Sequence, residues 1–104
     1  MARMVVIYPT PKNIEVFDRH YFDIQVPLAK KIPGLRKYEV SCGPIATPVG
    51  GAPVHRIGTL HFDDLAAIEK AFASPEGQAA RADRRLFAPD DSGIQMFLFD
   101  NREV

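Results

Sequence analysis

The stretch LRKYEVSCGPIATPVGGAPVHRIGTLHF, Leu35 to Phe62, sets two β-patterned runs around a loop dense in chain breakers. In the first run Tyr38, Val40 and Cys42 alternate with Lys37, Glu39 and Ser41, the two-residue period of a strand with one buried face. The last run, VHRIGTLHF, is rich in β-branched and aromatic residues and reads as a second strand. Residues 43–53, GPIATPVGGAP, hold three glycines and three prolines and read as a hairpin loop. No Lys-Ser or Lys-Thr pair follows those glycines, so they do not cradle a phosphate.

Working outward from this hairpin, each flank supplies a helix and then a strand. Upstream, Asn13 is a candidate N-cap, and Ile14, Phe17, Tyr21, Ile24, Leu28 and Ile32 follow at spacings that keep one helical face apolar until Pro33-Gly34. Before it, RMVVIY predicts a strand over residues 3–8, stopped by Pro9 and Pro11. Downstream, DDLAAIEKAFAS predicts a helix capped by Asp63 or Asp64, with Leu65, Ile68 and Phe72 on one face. Ser74-Pro75-Glu76 restarts a helix that runs to Phe87. The last run, IQMFLF from Ile94, is apolar at both alternating positions, as in a strand covered on both sides.

The order is βαββαβ. It predicts an α+β, ferredoxin-like domain spanning residues 1–104, a four-stranded antiparallel sheet with helices on one face. The other face then needs a cover. A last strand that is apolar on both sides predicts that a second copy supplies it, the two sheets closing into a dimeric α+β barrel.

Composition narrows the classes of function. At 104 residues the chain is one domain that buries roughly two-thirds of its unfolded surface, so self-association adds useful burial. Thirteen basic and thirteen acidic side chains cancel, and basic runs go no further than pairs such as Lys30-Lys31 and Arg84-Arg85. That is no footprint for nucleic acid. The single cysteine, Cys42, excludes an intramolecular disulfide and a multi-cysteine metal cage; it reads as a small buried hydrophobe and fits a reducing cytoplasm. The amino-terminal MARMVVIYPTPK is too short in apolar residues for a signal-peptide core, and no stretch is apolar enough to span a bilayer, so a cytoplasmic protein with no membrane partner is expected.

The functional lead lies in HYFDIQVPLAKKIPGL, His20 to Leu35. On a helical wheel Gln25 falls roughly 60° from the centre of the apolar stripe and His20 about 80° to the other side. A buried amide without partners costs on the order of 1 to 3 kcal/mol, so Gln25 should meet a partner, a water or a ligand. Pro27 removes a donor and leaves the Asp23 carbonyl unpaired, which bends the helix and opens space beside Gln25. Tyr21, on the stripe, is either plain packing or a phenol that orients a ligand oxygen, and Tyr8 and Tyr38 carry the same two readings.

Two histidines are candidate bases. His20 stands beside Tyr21, where a solvated surface histidine is the ordinary alternative. His61 shares its strand face with His55, Ile57 and Thr59 and reaches a pocket if that face meets the helices; otherwise it is a half-buried, hydrogen-bonded residue. His55, His61 and Asp63 do not make a metal site, because the two histidines stand about 20 Å apart along one strand. Asp90-Asp91 reads as an acidic pair in a loop.

The runs FDRHYFDIQVPLAKKIPGLRKYEV and IGTLHFDDLAAIEKAFASPEGQAARAD resemble the EthD family, small dimeric α+β barrel proteins named for an ethyl tert-butyl ether degradation cluster. The most specific part is Tyr-Phe, then Val-Pro-Leu-Ala, then Ile-Pro-Gly-Leu. The resemblance implies a homodimer, no metal or organic cofactor, and a small apolar pocket between sheet and helices. The wider barrel group includes cofactor-free monooxygenases, polyketide cyclases, dehydratases and lactone isomerases. Family members usually carry a histidine just before the Val-Pro-Leu run, where this chain has Gln25. Glutamine gives and accepts hydrogen bonds but takes no proton near neutral pH. Two functions are therefore expected to compete. One is cofactor-free proton-transfer chemistry on a small, mostly apolar molecule with His20 or His61 as base; the other is a non-catalytic carrier or accessory protein of an oxidative degradation system.

Overall fold

The alternation in Leu35–Phe62 becomes the central hairpin of a four-stranded antiparallel sheet. In the computed structural model, which describes residues 1–104, the elements are β1 (Ala2–Pro9), α1 (Ile14–His20), a π-helical turn (Tyr21–Gln25), α2 (Val26–Ala29), β2 (Lys37–Val40), β3 (Val54–Phe62), α3 (Leu65–Ala73), α4 (Pro75–Phe87) and β4 (Gln95–Asp100). The strands lie in the order β2-β3-β1-β4. This is the ferredoxin-like arrangement expected from the element order. Met4 faces Leu60 on one side and Leu98 on the other, and Val6 faces Gly58 and Met96, which fixes the face toward the helices. Ala2, Met4, Val6 and Tyr8 are buried on that face. No helix is long and apolar enough to cross a membrane.

The helix starts follow their caps. Asn13 Oδ1 accepts from the Val16 amide at 3.1 Å, Asp64 Oδ1 from Ala67 at 2.7 Å, and Ser74 Oγ from Gly77 at 3.1 Å. Each satisfies an amide that the first helical turn leaves without a partner.

The first helix departs from expectation in its middle. The chain is helical from Ile14 to Ala29, but Tyr21–Gln25 forms a π turn in which the Val26 amide bonds the Tyr21 carbonyl, five residues back. Pro27 explains its position: a proline ring collides with the carbonyl four residues before it in a regular α-helix, and a turn holding one extra residue moves that carbonyl aside. The extra residue also rotates the apolar stripe. Burial proceeds in steps of four, through Phe17, Tyr21, Gln25 and Ala29, while Ile24, expected on the stripe, is 44% exposed. Gln25, expected at the margin, is 7% exposed. Regular helix stops at Ala29, short of the expected Pro33, though Ile32 still packs into the core.

One further expectation is corrected, and the uncovered sheet face expected of a single chain is present. Cys42 is exposed, because β2 ends at Val40 and the alternation is lost before it. The last strand is not covered on both sides within one chain: all of Gln95–Asp100 is exposed, with Met96, Phe97, Leu98 and Phe99 between 39% and 48%. It is an edge strand that the helices cover only in part, with Met96 and Leu98 on their side, and the sheet of a single chain stays open.

Candidate functional site

Between the helices and the sheet lies a cavity of about 450 Å³. Met4, Val6 and Leu60 line it from the sheet, and Tyr21, Gln25 and Ala29 from the helices. All three tyrosines of the chain, Tyr8, Tyr21 and Tyr38, line it. The Tyr21 and Tyr38 hydroxyls are 2.7 Å apart, so one donates to the other and the second proton is left for another acceptor. Gly58 permits this pairing, since a β-carbon there would lie 3.1 Å from the Tyr21 hydroxyl. The Tyr8 ring meets Tyr21 edge to face at 5.5 Å. Its hydroxyl bonds no protein group.

Electrostatics keep these phenols protonated. Burial pushes the Tyr8 and Tyr21 hydroxyls well above the ordinary phenol range, and the neighbouring Tyr38 adds to the effect. Burial also raises Tyr38, against the lowering effect of its bond with Tyr21. Neutral phenols give hydrogen bonds and do not act as bases.

Gln25 meets protein partners. With the amide oriented by the acceptors around it, its nitrogen donates to Asp83 Oδ2 at 2.8 Å and to the Ala80 carbonyl at 3.1 Å. Both amide protons are then used, and the carbonyl oxygen is the one group the side chain has left for an occupant of the cavity. Asp83 Oδ1 accepts from His20 Nε2 at 2.8 Å, and the His20 ring packs on Phe87 at 4.9 Å between centroids. Asp83 thus ties α1 and the π turn to α4 from a position only 8% exposed.

The structure brings Tyr8, Tyr21, Tyr38 and Gln25 together and leaves both candidate bases outside. His20 does not line the cavity. His61 lies on the opposite face of the sheet, with its Nε2 2.6 Å from Glu39 Oε1, because β3 turns Arg56, Gly58, Leu60 and Phe62 toward the helices. His55 leaves the face it was expected to share with His61: a bulge opposite Tyr8 and Pro9 re-aims it at α1, where Nε2 stands 2.7 Å from Asp18 Oδ1. Arg56 Nη2 donates to the same oxygen at 2.9 Å. Partial burial of Asp18 opposes its ionisation, but the bonds from His55 and Arg56 outweigh it and hold the carboxyl below its usual range. No three His, Cys, Asp or Glu side chains converge closely enough to hold a metal ion.

Asp83, Arg84 and Gly58 were missed by sequence reasoning. A signal for the first two was present: Ala80, Asp83, Arg84 and Phe87 fall at the spacing of a buried helical stripe, with charged groups at positions an apolar stripe would fill.

Comparison with known proteins agrees with this architecture. The family model described as EthD domain matches residues 13–91. A Rhodococcus erythropolis protein, described as an uncharacterized 11.0 kDa protein in the thcB-thcC intergenic region, is 34% identical over 105 residues, covering 100% of this chain and 98% of its own. The crystal structure of an EthD family protein from Bacillus halodurans superposes with a TM-score of 0.86 at 28% identity, over 98% of this chain and 99% of that one. A Bacteroides fragilis protein described as dimeric, with a ferredoxin-like fold and unknown function, gives a TM-score of 0.65 at 19% identity over 96% and 95% of the two chains, a likeness of fold alone. With most of its length matched by the family model and its whole length by a relative at that identity, the chain belongs to the EthD domain family.

Proposed function

We propose that this chain is a cytoplasmic homodimer that binds a small, mostly apolar organic molecule, whose oxygen-bearing end is held by Tyr8, Tyr21, Tyr38 and Gln25. The cavity carries this reading: most of its lining is apolar, and the three neutral phenols and the Gln25 amide oxygen on it suit the orienting of a small ligand. The second copy is supported by the exposed apolar side chains of Phe97 and Phe99 beside Val5 and Ile7, and by the dimeric description of a relative with this fold. Two open sheets facing one another form a shared α+β barrel.

The walls hold no imidazole, and this favours binding without turnover, as in a carrier or accessory protein of an oxidative degradation system. One observation favours a second reading. His20, Asp83 and Gln25 are joined by two contacts of 2.8 Å, a chain that leads from a partly exposed imidazole to the cavity wall. In a cofactor-free cyclisation, dehydration, isomerisation or oxygenation, the phenols would stabilise an enolate or phenolate oxygen and His20, oriented by Asp83, would receive the proton through water, since the Gln25 amide carries none.

Gln25→His separates the two. It places an imidazole beside Asp83 at the cavity wall, a group that titrates near neutral pH. On the binding reading the parent takes up members of a panel of small phenols, lactones and enols without converting them, and Gln25→His introduces turnover. Conversion by the parent, unchanged or reduced in Gln25→His and abolished in His20→Ala, establishes the catalytic reading instead.

A further inference from the structure

One cation on the cavity wall is not explained by packing or by a neutral ligand. Arg84 is 7% exposed and lines the cavity, yet its bonds to the protein all come from one nitrogen: Nη1 donates to the Ala88 carbonyl at 2.9 Å and to Asp90 Oδ1 at 2.7 Å. Nη2 and Nε make no bond to the protein. Buried guanidinium groups normally use several donors, and the fork of two adjacent nitrogens matches a carboxylate. Arg81 and Arg85 line the same cavity, as do Glu69 and Asp90, so that with Arg84 its lining counts three cations to two anions. Arg84 also acts electrically on the phenols, its charge opposing the effect of burial on Tyr8.

We infer that the ligand is an organic carboxylate, with an aromatic or alkyl body on the apolar wall and its acid group on the free donors of Arg84. The inference rests on the binding reading above and names the class of molecule bound. Asp90 is the competitor for the cation: it is exposed, shared between Arg84 and Arg85 at 2.7 and 3.5 Å, and these arginines hold its carboxyl below the usual range. A carboxylate ligand would arrive at a guanidinium only partly neutralised.

The test uses acids and their amides of the same shape: phenylacetate with phenylacetamide, 2-naphthoate with 2-naphthamide, and decanoate with decanamide, each titrated calorimetrically at neutral pH. For at least one pair the acid should bind about tenfold or more tightly than the amide, the worth of a hydrogen-bonded charge pair over a neutral one. Arg84→Gln should abolish that preference while amide affinity is kept. Since Arg84→Gln also loosens the Ala88 and Asp90 contacts, Asp90→Asn serves as the second variant; it removes the competing charge and should strengthen acid binding severalfold, leaving the amide unchanged. Equal binding of acid and amide, or a preference that survives Arg84→Gln, overturns the carboxylate inference and leaves the binding reading standing. A fall in melting temperature in Arg84→Gln with the acid preference intact assigns Arg84 to anchoring the chain after α4. If none of the six probes binds, the carboxylate inference falls, and the binding reading is decided by the panel of phenols, lactones and enols.

Discussion

Gly77→Ala is expected to destabilise the protein by about 3 kcal/mol or more, a fall in melting temperature of roughly 12 to 24 °C for a domain of this size. Intrinsic propensity predicts the opposite sign, because alanine for glycine inside a helix ordinarily gains about 0.5 to 1 kcal/mol. Close approach decides it. A β-carbon on Gly77 would stand 2.1 Å from the Ala71 carbonyl oxygen and 2.7 Å from the Phe72 Cα, and both are backbone atoms that no rotamer change removes. The corner between α3 and α4 would have to open, carrying with it Ala80 and Asp83, which hold Gln25 in place. Thermal unfolding followed by circular dichroism measures the effect. A melting temperature equal to or above the parent's would show that the corner relaxes freely and that Gly77 is not required there.

Phe97→Glu is expected to turn the proposed dimer into a monomer. Phe97 pairs with Val5 across β1 and β4 on the sheet face away from the helices, and it is 48% exposed in one chain. Fully burying such a side chain is worth about 1.5 to 3 kcal/mol, and about half of it is left to bury here. A twofold interface uses the residue twice, so the loss is about 1.5 to 3 kcal/mol, roughly one to two decades in the dimer dissociation constant. Two carboxylates brought together at the axis add repulsion. Sedimentation equilibrium across a concentration series checks this. An 11.6 kDa species for the parent itself, or a dimer of Phe97→Glu as tight as the parent's, would remove the shared barrel.

How far the sequence could be followed differs from element to element. Local chemistry was legible: the alternation around Tyr38 and Val40, the Asn13 cap, and the helix restart at Ser74-Pro75-Glu76 all satisfy groups within a few residues of themselves. The π turn was not, because a 3.6-residue period accommodates Ile24 and Leu28 as well as the true stripe, and nothing local states where the strain of Pro27 is relieved. Nor does strand alternation reveal which face the helices cover. It places His61 and Gly58 on opposite sides of β3, and the helix packing then makes one a surface residue paired with Glu39 and the other the gap that admits Tyr21. Asp83 was out of reach for another reason: its partner His20 lies 63 positions away in the chain. The same separation hides the cost of replacing Gln25, since an apolar residue there would leave a buried carboxylate oxygen without its donor.

The cavity carries its own reporter. The chain has no tryptophan, and each of its three tyrosines lines the cavity, so intrinsic tyrosine emission comes from the site alone. Titration of the purified protein with small phenols, lactones, enols and carboxylates, followed by tyrosine fluorescence, therefore tests whether this cavity is where a ligand binds. We expect a saturable change for at least one of them, with a midpoint that matches the calorimetric affinity and is weakened when Tyr21 is replaced by phenylalanine. A ligand that binds by calorimetry and leaves the tyrosine signal untouched, or a protein whose emission responds to no member of the panel, would contradict the assignment of this cavity as the binding site.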